Sequence, residues 1–108
     1  MALLNVQKAS LTGLAPTFVA ASAGGDSFVN DGKTVLHVKN GGASEITVTV
    51  NSQQPCNYGF DHDVTVAVPA GGERIIGPFR QDRFNNSDGQ VMVSYSAVTS
   101  VTVAAIAQ

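Results

Sequence analysis

The sequence predicts an all-β protein, a two-sheet antiparallel sandwich of the jelly-roll or Ig-like kind with about seven or eight short strands. The chain uses 15 valines and 8 threonines against only 5 leucines and 2 glutamates. Because β-branched side chains are stiff at χ1, this usage favours a pleated sheet. Apolar and polar residues also alternate with a period of two, and turn signals separate the alternating runs.

Four segments show this alternation most clearly, and their apolar residues are predicted to face the space between the sheets. Tyr95 shares the inward face of its strand. The ten other side chains of the predicted core are Ile46, Val48, Val50, Val64, Val66, Val68, Val91, Val93, Val101 and Val103. Weaker strands are predicted over residues 17–22, 33–40 and 74–76. In the second of these, Leu36 and Val38 should face inward, and His37 and Lys39 outward.

Turn residues separate the strands at four places: residues 30–32, 40–42, 70–72 and 87–89. Each ends in glycine, the residue that most readily adopts the positive φ of a tight hairpin. We therefore predict a chain reversal at each. Pro69 should close a strand, because proline cannot donate to a ladder, and Gly77 and Pro78 should form a turn.

Length, charge and cysteine content exclude several classes of protein. A chain of 108 residues allows one small domain, too little for an enzyme with a separate cofactor module. A net charge of −2 offers no surface suited to a phosphate backbone, so nucleic-acid binding is not expected. Cys56 is the only cysteine, which excludes an intrachain disulfide. We also expect no signal peptide, no membrane span and synthesis in the cytoplasm, because Asn5 interrupts the apolar start.

The cluster formed by Cys56, Asp61, His62 and Asp63 combines a thiol, an imidazole and two carboxylates. Its spacing fits no zinc signature, because a structural zinc site needs four ligands in paired short spacings. A Cys56–His62 nucleophile pair would need an orienting group and an oxyanion hole, which the sequence does not indicate. We expect a solvated loop here, and no catalytic, cofactor-binding or metal-binding residue in the chain. The protein is therefore predicted to be no enzyme and to need no cofactor.

Residues 82–89 superficially resemble a calcium-binding loop. If Gly89 took the sixth position of the EF-hand pattern, Phe84 would stand where the first aspartate ligand belongs. The prediction is therefore a hairpin tip rich in Asn and Asp, with an adventitious cation site as the alternative. The glycine pairs at 24–25, 41–42 and 71–72 are predicted turns, because a phosphate loop needs a following helix.

The composition suggests a surface suited to protein contacts. Only 13% of the residues are charged, so Thr, Ser, Asn, Ala and Gly must cover much of the surface. Residues 98–106 carry no charge and have high β-propensity, so this segment must be central, covered or used for assembly. Residues 1–14 lack strand alternation and are predicted to form an N-terminal arm that becomes ordered on a neighbour. Residues 15–108 are then a single sandwich domain.

Several stretches resemble the small β-sandwich virion proteins of tailed bacteriophages. They are FVNDGKTVLHVKNGG from Phe28, VPAGG from Val68, IGPF from Ile76 and FNNSDGQV from Phe84. The resemblance spans about residues 15–106 and rests mostly on turns and strand ends. It implies a non-enzymatic virion structural protein, held in the particle in many copies. It transfers no ligand-binding residue.

The function expected from this resemblance is that of a capsid decoration or head-stabilising subunit, made in the host cytoplasm and located in the virion. Its partners would be the major capsid protein or other virion proteins, and it would form a homo-oligomer, with a trimer as one option. One alternative is a head–tail joining or tail structural subunit. An alternative of another class is a carbohydrate-binding or adhesive module. Such modules normally use exposed aromatic residues, whereas this chain has no Trp and two Tyr.

Overall fold

The computed structural model describes residues 2–52 and 63–107, which form ten strands and one helical turn. Valine and threonine dominate the longer strands, as expected for residues that pack well on a pleated sheet. The elements are β1 (Ala2–Leu3), β2 (Val6–Lys8), β3 (Val19–Ala20), β4 (Asp26–Val29), β5 (Thr34–Asn40), β6 (Ile46–Val50), β7 (Val64–Val68), β8 (Glu73–Ile76), α1 (Gln81–Phe84), β9 (Gln90–Tyr95) and β10 (Val101–Ala107).

The strands form two sheets packed as a sandwich, which confirms the predicted fold class. The first sheet has the order β1-β4-β9-β6-β7, and the second has the order β2-β10-β5-β8, with β3 also paired to β10. The pairings are antiparallel except at β1 with β4 and at β2 with β10, which are parallel. The strand count exceeds the predicted seven or eight because β1, β2 and β4 were not predicted.

The core lies where the period-two alternation placed it. Eight of the ten predicted core residues are buried, and Leu36 and Val38 are fully buried as expected. Val64 and Val66 are only partly buried and pack against the margin of the core. They belong to β7, which lies at the end of its sheet, so one side of the strand has no neighbour to cover it.

The charge-free C-terminal segment is a central strand. β10 pairs along its whole length with β5, from Val101 opposite Asn40 to Ala107 opposite Thr34. Its other edge pairs with β3 and β2. Of the three options open for this segment, the structure shows the central position, where neighbouring strands satisfy both edges of the backbone.

The N-terminal residues do not match the predicted arm. β1 pairs with β4 in the first sheet, and β2 pairs with β10 in the second, so the chain passes from one sheet to the other. Leu4, at this crossing, is 6% exposed and belongs to the core. Residues 2–8 are therefore part of the sandwich, and the prediction of an arm is wrong for them. They form two short strands in different sheets, so the sequence shows no continuous alternation of apolar and polar residues there.

The predicted turns are present, but their roles differ from simple hairpins. Residues 30–32, 40–42 and 70–72 connect strands of different sheets. Gly32, Gly71 and Gly89 have the expected positive φ. Gly41 meets a different requirement, because an added Cβ would lie 3.2 Å from the Ser100 carbonyl oxygen. Close approach of two backbone segments therefore favours glycine at this position.

Candidate functional site

Two charge-free stretches of the sequence meet at one edge of the second sheet. Residues 9–25 and 89–107 contain no Asp, Glu, Lys, Arg or His. The structure joins them through the pairing of Val103 with Val19 and of Thr102 with Ala20. We call the surface formed by β3, the loop of residues 9–18 and the adjoining edge of β10 the neutral edge. It presents backbone, hydroxyl and aliphatic groups without a formal charge, which lowers the cost of excluding water from it.

A cavity of about 260 Å³ opens in the neutral edge, between β2 and β3. The two strands share the same edge of β10 but pair with different parts of it, so a fork remains between them. Leu4, Val19 and Val103 contribute apolar walls, with Ala104 and Ala105 also in the lining. The small side chains on β10 help to leave this space open.

The Gln7 side chain links β2 to the backbone that leads into β3. Its Nε2 atom donates to the Thr17 carbonyl oxygen at 2.8 Å, and its Oε1 atom accepts from the Thr17 backbone N–H at 2.8 Å. By donating one hydrogen bond and accepting another, the side-chain amide substitutes for a missing strand partner. The bridge holds the base of the loop of residues 9–18 beside the cavity.

The same loop presents a fully exposed leucine. Leu11 is completely accessible to solvent, and Val19 at the cavity is 48% exposed. The Gly13 N–H donates to the Ser10 carbonyl oxygen at 3.1 Å, so Leu11 lies inside a closed four-residue turn. The Ser10 hydroxyl reinforces the turn by donating to the Gly13 carbonyl oxygen at 3.2 Å. The leucine is therefore held out into solvent by an ordered turn.

Phe18, next to β3, covers part of the outer face of the second sheet. Its ring lies edge-on to the His37 ring at 4.9 Å, and the Lys39 ammonium lies 4.1 Å from its centroid. His37 Nε2 is 3.6 Å from a Glu73 carboxylate oxygen. The outward direction predicted for His37 and Lys39 is confirmed, although Phe18 leaves the His37 side chain only 14% exposed. This histidine is a packed side chain beside the neutral edge.

A buried polar pair lies between the sheets, near the start of β4. Asp26 is fully buried, and the Tyr95 hydroxyl donates to its Oδ2 atom at 2.7 Å. The Ser22 backbone N–H donates to the same oxygen at 3.2 Å. Asp26 Oδ1 is buried without a hydrogen-bond partner among the described residues. Burial, with the nearby Asp26 carboxylate, raises the pKa of the Tyr95 phenol well above its ordinary value of 10.0.

This pair predicts a specific alkaline loss of stability. Because the pKa is raised in the folded protein, folding favours the protonated phenol of Tyr95. Its contribution to the free energy of unfolding is complete below pH 10 and is lost as the pH rises further. The free energy of unfolding should fall by about 1.4 kcal/mol per pH unit above pH 10 from this group alone. Urea unfolding at pH 8 to 11 measures that slope.

The Tyr95→Phe variant supplies the matched control. It should lose about 1–3 kcal/mol at pH 8, because Asp26 then keeps a single donor, and its alkaline slope should be shallower than that of the unchanged protein. Equal slopes for the two proteins above pH 10 would contradict the assigned role of Tyr95.

Residues 82–84 belong to α1 and residues 85–89 connect it to β9, so this segment is not a hairpin tip between two strands. Buried Asn30 donates from Nδ2 to Asn85 Oδ1 at 2.8 Å, and Asn85 Nδ2 donates to the Asn30 carbonyl oxygen at 3.0 Å. Asn86 Oδ1 accepts from the Asp88 backbone N–H at 2.9 Å and from the Gln90 N–H at the start of β9 at 3.1 Å. These amides brace the chain's own loops, in keeping with a structural use of the asparagine-rich segment.

The cysteine–histidine cluster can be placed only in part. Cys56, Asp61 and His62 lie outside the described residues. Asp63 is exposed, and its Oδ1 atom accepts from the Ser52 backbone N–H at 2.9 Å. Within residues 2–52 and 63–107, no group of three or more His, Cys, Asp or Glu side chains could hold a metal ion. No helix in the same ranges is long and apolar enough to cross a membrane.

Sequence reasoning missed several buried polar residues, among them Asp26, Asn30 and Asn40. Asn40 donates from Nδ2 to the Ser44 and Val68 carbonyl oxygens at 2.8 and 3.1 Å. A signal existed for Asn40, since it continues the inward alternation of Leu36 and Val38. Asp26 and Asn30 precede or follow glycine-rich turns, where such residues are ordinarily exposed, so no local pattern distinguished them.

Comparison with protein-family models, curated proteins and solved structures found no match to this chain. The fold class is therefore defined by the structure itself, as a two-sheet β-sandwich. The resemblance to phage virion proteins stays a prediction.

Proposed function

We propose that this protein is a non-enzymatic structural subunit of a tailed-bacteriophage particle, bound to the capsid exterior as a decoration or head-stabilising protein. The main support for this proposal is the exposure of large apolar side chains on a surface with few charges. Five large apolar side chains, those of Leu3, Leu11, Val19, Val29 and Ile75, are exposed by 48% or more. Two of them, Leu11 and Val19, belong to the charge-free neutral edge, and apolar exposure on such a surface favours contact with other protein surfaces.

The architecture supports the same role. The sandwich holds its sheets together with a continuous apolar core and satisfies both edges of β10 internally. Its surface is thus carried on a rigid scaffold, and a rigid partner loses less conformational entropy when it binds. In a lattice of many identical sites, several modest contacts together give strong retention.

The placement on the capsid comes from the resemblance in the turns and strand ends of residues 15–106. A head–tail joining or tail position would use the same kind of surface, so the experiment must report position as well as binding. The partner proposed is the major capsid protein, and the proposed location is the virion.

The test is to add the purified protein to phage particles that lack it. We expect saturable co-sedimentation with a fixed copy number per capsid subunit, measured by quantitative mass spectrometry, and added density on the head in electron cryomicroscopy. Bovine serum albumin at equal concentration controls for trapping in the pellet.

Density at the neck or tail would overturn the capsid placement and support the alternative position. Absence of the protein from purified natural virions, together with no binding to the depleted particles, would overturn the role in the particle altogether.

A further inference from the structure

We propose that the cavity between β2 and β3 receives the Leu11 side chain of a second copy of this chain. Leu11, the knob, and the cavity, the hole, both belong to the neutral edge, and the Gln7–Thr17 bridge that closes the loop of Leu11 also lines the cavity. The inference rests on the proposed role as an assembly subunit and adds to it a defined contact between copies.

The size of the cavity suits this occupant. An apolar cavity of about 150 Å³ in a protein is large enough to bind benzene. The cavity between β2 and β3 has a volume of about 260 Å³ and is open on one side. A leucine side chain therefore fits, with space for part of the turn that carries it.

The chemistry of the two surfaces also agrees. Five of the eight lining residues, Leu4, Val19, Val103, Ala104 and Ala105, offer aliphatic contacts to the Leu11 side chain. The other three, Asn5, Gln7 and Thr17, are polar but uncharged. The loop that carries Leu11 has no charged residue from Ala9 to Phe18, and the described cavity lining has none either. Insertion of Leu11 into the cavity therefore buries no charged side chain of the loop or of the cavity lining.

The turn that carries Leu11 prepares it for insertion. Hydrogen bonds between Ser10 and Gly13 close the turn in the single chain, so little further ordering is needed on contact. A knob and a matching hole at separate places on one molecule link one copy to the next, either reciprocally in a pair or around a ring. This arrangement explains why an ordered turn presents a leucine to solvent.

Sedimentation velocity of the full chain over a concentration series tests the contact. We expect the wild-type protein to associate with itself. The Leu11→Ser substitution should raise the dissociation constant of this self-association about 10- to 100-fold, because one buried leucine contact is lost. Val19→Phe should have a comparable effect, because the larger ring fills the cavity from its exposed rim.

Ile75→Ser is the matched control. Ile75 is 65% exposed on β8, at the far end of the same sheet from β2, so its loss removes a similar apolar side chain away from the proposed contact. This variant should associate as the unchanged protein does. Near-identical circular dichroism spectra and melting temperatures would show that each variant is folded.

A cross-linking experiment locates the contact. In a Cys56→Ser background, separately purified Leu11→Cys and Val19→Cys variants are mixed under mild oxidation. A covalent mixed dimer, formed well above the level given by Ile75→Cys with Val19→Cys, is the expected result.

A monomeric unchanged protein at all concentrations would overturn the proposal, as would association that Leu11→Ser and Val19→Phe leave intact. Loss of particle binding by Leu11→Ser in a protein that is monomeric in solution would identify a capsid protein as the occupant and would equally overturn the second-copy contact. Sedimentation velocity and cross-linking measure self-association without phage particles. A negative result in them is therefore distinguishable from a failure to bind particles, which tests the proposed function.

Discussion

Deletion of residues 2–8 is expected to lower the melting temperature by at least about 10 °C. The deletion removes Leu4 from the core and both parallel ladders, so one edge of β4 and the part of β10 that pairs with β2 lose their strand partners. Burial of one leucine contributes about 1.5–3 kcal/mol, and the whole domain is stabilised by only about 5–15 kcal/mol. Thermal melts followed by circular dichroism give the measurement.

Two single substitutions separate core packing from strand pairing in this segment. Leu4 is 6% exposed, whereas its neighbour Leu3 is 61% exposed. Leu4→Ala should therefore account for about 2–4 kcal/mol of the loss, and Leu3→Ala for less than about 1 kcal/mol. An unchanged melting temperature after the deletion would instead restore the interpretation of these residues as an arm ordered by a neighbour.

Phe28→Ala is expected to lower the free energy of unfolding by about 3–5 kcal/mol, the range observed for large aromatic truncations in cores. Phe28 is fully buried on β4, and its ring centroid lies 5.7 Å from that of Phe79. Phe79 in turn contacts Phe84 edge-on at 5.4 Å. Loss of the Phe28 ring thus opens a void where β4 packs on the segment preceding β9. Urea unfolding measures the resulting decrease in the free energy of unfolding.

Phe18→Ala provides the comparison for this truncation. Phe18 lies on the outer face against His37 and Lys39 and is only partly buried, so its loss should cost about 1 kcal/mol or less. Equal destabilisation by the two phenylalanine substitutions would contradict the assignment of Phe28 to the centre of the core.

The sequence predicted that part of the surface carries little charge, but it did not predict which strands form the neutral edge or its cavity. The low charge of residues 98–106 indicated a segment that avoids water, and the absence of alternation in residues 1–14 indicated an unusual N-terminus. Neither pattern could show that Val103 and Val19 would lie side by side, because 84 positions of sequence separate them. The cavity exists only because β2 and β3 share one edge of β10, and this sharing depends on long-range pairing.

Local chemistry determined the class of this protein. β-Branched residues at a period of two specify strands and the face that each strand buries, since successive side chains on a strand point to opposite sides. That rule placed Val48, Val93 and Val103 correctly. Tertiary structure decided which strands are neighbours, the crossing of Leu4 between sheets and the burial of Asp26. These depend on contacts between distant segments, whose energies are not encoded in any local pattern.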